Sequence, residues 1–73
     1  MENNMRYSLA ALIGVMCDAV INDRSDAPTF YTVLKKRVPD ETQRCNAIIR
    51  VVGQYYQKNY IQILAKLSTF DGH

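Results

Sequence analysis

Histidine occurs once in this 73-residue chain, as the final residue, and tryptophan not at all; there are three glycines, two prolines and two cysteines. Each shortage removes a class of reading. A lone terminal His73 cannot be held against a substrate, so Cys17 and Cys45 have no neighbouring imidazole to activate them, and no acid or base is placed for catalysis. With so little Gly and Pro, the turn chemistry of small β domains is missing. Two thiols are too few for the disulfide scaffold of a small secreted domain. Each lies in a helix-like apolar pattern, so both read as reduced core thiols of a cytoplasmic protein. No glycine-rich phosphate loop is present, and Asp18, Asp23 and Asp26 have the spacing of no calcium loop. The expectation is a non-enzymatic protein without cofactor or metal.

Charge is also scarce. The formal net charge is +2, with no acidic or basic tail to suggest a polyanionic partner. The apolar run from Tyr7 to Cys17 is too short to span a bilayer and lacks a small-x-small cleavage signal. It therefore reads as a core helix, with no membrane role.

What is present is a globular composition, 48% hydrophobic and 22% charged, which is enough apolar material to fold one domain over residues 1–73. A chain this short buries a low fraction of its surface, so help from a partner is expected. Met5, Leu9, Leu12, Ile13, Met16 and Val20 recur at helical spacing and predict a first helix over about 5–22, capped by Asn3 or Asn4. Ser8, Ala10, Ala11 and Gly14 give it a small side that a neighbour could approach.

The stretch "NDRSDAP" predicts a loop, with Asp26 as the next N-cap and Pro28 in the first turn of a helix over 27–37. Phe30, Val33, Leu34 and Arg37 share its inner side. Lys35, Lys36 and Arg37 complement the dipole at its end. Val38 before Pro39 stops it. Asp40 and Gln43 then form a capping box that opens a third helix, and nothing but Gly53 weakens the pattern from 40 to 69. The predicted architecture is all-α: a small three-helix domain with two shorter helices packed on one long C-terminal helix.

On that long helix Cys45, Ile48, Ile49, Val52, Tyr56, Tyr60, Ile63 and Leu67 form one stripe, opposed by Arg50, Gln54, Gln57 and Lys58. Val51, Tyr55 and Ile61 fall outside the division and widen the apolar arc to about 200°, where packing on one small core needs little more than about 100°. Val52, Tyr56 and Ile63 are assigned to the core. The surplus, Val51, Tyr55 and Ile61 with Ile48 at its edge, predicts a surface for a protein partner, either a second copy forming a homodimer or the helix of another protein. A kink near Gly53 or Asn59 would instead return Ile61 to the core.

The function this implies is a non-catalytic interaction module: a small helical adaptor, inhibitor or chaperone-like protein. The rival is a helix-turn-helix regulator reading DNA with Gln43, Arg44, Asn46 and Arg50. Asp40 and Glu41 beside the phosphates and the low total charge count against it.

Overall fold

A computed structural model describes residues 7–71 as four α-helices: α1 (Leu9–Ile21), α2 (Ala27–Arg37), α3 (Glu41–Tyr55) and α4 (Tyr60–Asp71). A single 3-10 turn, Gln57–Asn59, joins the last two. The all-α class holds. The one long C-terminal helix does not, because the chain leaves helical geometry at Tyr56, with φ −133° and ψ 36°.

The most apolar helix is the one the others cover. Leu12, Ile13, Met16, Cys17, Ala19 and Val20 of α1 are all buried, and α1 packs against α2, α3 and α4 in turn. It begins at Leu9, later than the apolar stripe suggests, because the Ser8 hydroxyl accepts the Ala11 N–H at 3.1 Å and caps it. Asn3, Asn4 and Met5 lie outside the described residues. Of the small side, Ser8, Ala10 and Ala11 are exposed, and only Gly14 is approached by a neighbour, the Tyr56 hydroxyl.

α1 stops through its backbone. Arg24 N–H bonds the Ala19 carbonyl at 2.8 Å and Asp23 N–H that of Val20 at 3.1 Å, with Asp23 at φ 55°. This pairing of a six-residue and a four-residue closure satisfies carbonyls that the helix end leaves free, and Asp is among the few side chains that tolerate the left-handed residue it needs. Asp26 does not cap α2 with its side chain as predicted. Its carboxylate turns to Arg24 at 2.7 Å instead. The buried side of α2 is Ala27, Phe30, Tyr31 and Leu34, while Val33 and Arg37 are only half-buried. Arg37 reaches back to the Tyr7 carbonyl at 2.8 Å.

Asp40 does cap α3, accepting the Gln43 N–H at 2.9 Å. One turn on, Arg44 is the only charged residue in the described core, 7% exposed. Its Nη1 donates to the Val38 and Pro39 carbonyls at 3.0 and 3.1 Å, and its guanidinium lies 5.8 Å from the centre of the Tyr31 ring. The α2–α3 link therefore closes on a side chain that satisfies backbone acceptors no helix can use.

α3 runs through Gly53, the weak point in the sequence pattern, and ends two residues later, at Tyr55. The reason is tertiary. Tyr56 sends its hydroxyl to α1, 3.1 Å from the Gly14 carbonyl and 3.0 Å from Asp18 Oδ1, and the chain then turns so that α4 meets α1, α2 and α3. Ile63 and Leu67 of α4 are thereby buried. Burying a side chain of that size contributes about 1.5–3 kcal/mol, against about 1 kcal/mol net for each helical hydrogen bond given up at the break.

Arg44→Ala should lower the unfolding free energy by about 1.5–3 kcal/mol, the worth of a hydrogen-bonded charged group, whereas exposed Arg50→Ala should stay within about 0.5 kcal/mol of the parent. Urea titration of the three proteins measures both. Equal small losses would show that the Arg44 bonds carry no stability.

Candidate functional site

The break sets α3 and α4 side by side with an open apolar groove between them, about 290 Å³ in volume. Ile48 and Leu67, 3% and 5% exposed, are its floor. Cys45 and Ile49, one helical turn apart, form the α3 wall, and Leu64 and Ser68 the α4 wall. Ile61, 77% exposed, precedes Leu64 by three residues on α4 and lies outside the groove's lining.

One end of the groove is shut by a polar cluster. The Tyr31 hydroxyl donates to Asp71 Oδ2 at 2.7 Å, and the Tyr31 ring meets Phe70 with centroids 5.9 Å apart. Lys35 Nζ stands 5.2 Å from the same ring. Burial, followed by the Asp71 carboxylate, raises the Tyr31 pKa above its ordinary value. Tyr31 thus ties α2 to the last turn of α4. The sequence pattern offers it, since Ala27, Tyr31 and Leu34 are four and three residues apart, but the spacing favours Val33 for the inner side equally well.

The predicted partner surface divides. Ile48 and Val51 belong to the core, 3% and 7% exposed, because the fold-back of α4 and the packing on α1 cover the flank that a straight helix would have left bare. Tyr55 and Ile61 are exposed, 67% and 77%. The alternative to one continuous helix, a kink near Gly53 or Asn59, is realised as the break at Tyr56, yet it does not return Ile61 to the core. Tyr55 lies away from the groove, at the joint, beside Gln54 and the 57–59 turn. Ile49, placed on the core stripe by its spacing, is 44% exposed on the groove wall, and Tyr60 is half-buried.

Of the four candidate DNA readers, Gln43, Asn46 and Arg50 are exposed but Arg44 is withdrawn into the α2–α3 link. Asp40 and Glu41 stand at the start of α3, where they would meet the phosphates first.

The two thiols also differ. Cys17 is buried in α1 and its pKa is pushed up to about 12, by burial first and by neighbouring Asp18 second. Cys45 is exposed rather than a core thiol, because the turn at Tyr56 leaves its face of α3 open. Among the described residues no three His, Cys, Asp or Glu side chains gather into a metal-binding group, and no helix is long and apolar enough to cross a membrane.

The Tyr56 hydroxyl lies outside the groove, against α1. Burial and the Asp18 carboxylate together raise its pKa to about 12, since ionisation would put a second negative charge beside Asp18 and remove the donated proton.

No family model matches the chain, and no curated protein or solved structure matches it either.

A thiol reagent should label Cys45 rapidly in the native protein and Cys17 only as fast as the chain unfolds; rapid labelling of both would mean α1 is not covered. The folded-state pKa of Tyr56 lies above its ordinary 10.0, so the stability this hydroxyl contributes is complete below about pH 10 and is lost as pH rises towards about 12. Urea midpoints should fall over that window, and less steeply in Tyr56→Phe. An identical slope in the variant would show that another group carries the pH dependence.

Proposed function

We propose that this protein is a non-catalytic interaction module that seats an amphipathic helix of a partner protein in the α3–α4 groove. The observation that carries the reading is the character of that groove. Its walls and floor are apolar or weakly polar, and its single charged side chain, Asp71, is already engaged by Tyr31. A helix laid between α3 and α4 and running past the groove to Ile61 would bury apolar side chains three and four residues apart against Ile49, Leu64 and Ile61, with Asp71 at one end the single charge it meets. The volume suits one or two such side chains rather than a metabolite, which takes a more enclosed and usually larger cavity.

The reading is that of a small adaptor, inhibitor or chaperone-like protein. An exposed single thiol such as Cys45 is kept free in a reducing compartment, which supports a cytoplasmic setting. The DNA-binding alternative draws no support from Arg44, whose donors serve the α2–α3 link.

Ile49→Asp and Ile61→Asp should each weaken capture of the partner from the native host at least about tenfold, the worth of about 1.4 kcal/mol, while leaving helicity and urea midpoint unchanged. Light scattering separates a foreign partner from a second copy in the groove. A stable monomer that captures nothing, or capture indifferent to both substitutions, would end the proposal.

A further inference from the structure

The turn between α3 and α4 has little in its own sequence to require it. Residues 54–71 contain neither Gly nor Pro, and no residue at the joint has a positive φ. One residue, Tyr56, departs from helical geometry, and by Tyr60 the backbone is helical again, at φ −55° and ψ −55°. Within the turn, Asn59 N–H bonds the Tyr56 carbonyl three residues back, where a continuous helix would bond four back. Drawn straight, the same segment keeps Val52, Tyr56, Ile63 and Leu67 on one stripe. Of the residues that the folded-back form buries, Val52, Ile63 and Leu67 are ones that a single long helix would present together, while Val51 lies off that stripe. What holds the turn is the reach of the Tyr56 hydroxyl to Gly14 and Asp18 of α1.

We infer that Tyr56 is the hinge of a domain swap, in which α3 and α4 straighten into one helix and each α4 docks on α1, α2 and α3 of a second copy of this chain. Every contact α4 makes in the folded-back form is available in the partner copy, because the two chains are identical. The swapped form replaces the three-back bonds of Asn59 and Tyr60 with the four-back bonds of a continuous helix and gives up the Tyr56 anchor. It brings two joints together, where Tyr55, exposed in the single chain, meets its counterpart. The inference does not rest on the groove as a binding site, since each groove is rebuilt from α3 of one copy and α4 of the other.

Light scattering across a concentration series, with nuclear Overhauser contacts in a mixture of isotope-labelled and unlabelled chains refolded together, tests it. The dimer should show the Tyr31–Phe70 contact between chains, not within one. Tyr56→Phe, which removes the anchor and keeps the ring, should raise the dimerisation constant roughly tenfold. Gln57→Gly with Lys58→Gly should weaken the dimer at least about tenfold without unfolding the monomer, because each glycine disfavours the interior of a straight helix and is accepted in a turn. A dimer with only intrachain Tyr31–Phe70 contacts, a dimer undiminished by the two glycines, or monomers throughout even in Tyr56→Phe would each overturn it. A swapped dimer whose partner capture is nonetheless insensitive to Ile49→Asp would leave the hinge standing and remove only the groove reading.

Discussion

The hydroxyl of Tyr56 binds α3 to α1 at the point where α3 ends, and the arrangement of the rest of the molecule depends on that tie. Two acceptors, the Gly14 carbonyl and the Asp18 carboxylate, stand about one hydrogen bond's length from a single side chain. Each bond is modest in net terms, about 0.5–1.5 kcal/mol. Its leverage lies in the packing it permits: the chain turns, α4 comes back onto the other three helices, and Ile63 and Leu67 enter the core. A small chain with too little surface to cover a long apolar helix has covered it with the far half of that same helix.

α1 is the element this arrangement serves. Six of its side chains are buried, and its thiol at Cys17 is so far from water that burial, more than the nearby Asp18 charge, lifts the pKa well above the thiol range. Around it the polar groups are few and each has structural work. Ser8 and Asp40 cap helices, Arg44 closes the α2–α3 link by satisfying backbone carbonyls, and Tyr31 ties the end of α4 to α2 through Asp71. Nη1 of this single buried guanidinium bonds the Val38 and Pro39 carbonyls, while its Nε has no hydrogen-bond partner.

The same turn leaves the open groove to which the proposed partner helix is assigned. Two neighbouring helices in a larger bundle would have a further helix filling the space between them; here that space is the open groove walled by Cys45, Ile49, Leu64 and Ser68. Groove and hinge are therefore two consequences of one event, the departure of Tyr56 from helical geometry. They remain separable, because the groove depends on side chains along α3 and α4 while the hinge depends on the backbone between them.

Much of the local structure is legible in the sequence. The ends of α2, the Asp40 cap with its Gln43 partner, the end of α1 near Asn22 and the core positions Leu12, Ile13, Met16, Leu34, Val52 and Ile63 all come from short-range chemistry: capping, the restriction before Pro39 and the helical period. These effects act within a turn or two of chain, which is why the chain itself specifies them. Periodicity could not show that a helix without Pro would break at Tyr56, that Ile48 and Val51 would be covered while Ile49 and Cys45 were not, or that Arg44 would turn inward. Each of those depends on a group from another helix: the Gly14 carbonyl, the returning α4, the Tyr31 ring. The sequence by itself determined an all-helical chain with more apolar face than its helices could hide separately. Tertiary structure decided where that face folds on itself, because only packing against α1 outweighs the hydrogen bonds of an unbroken helix.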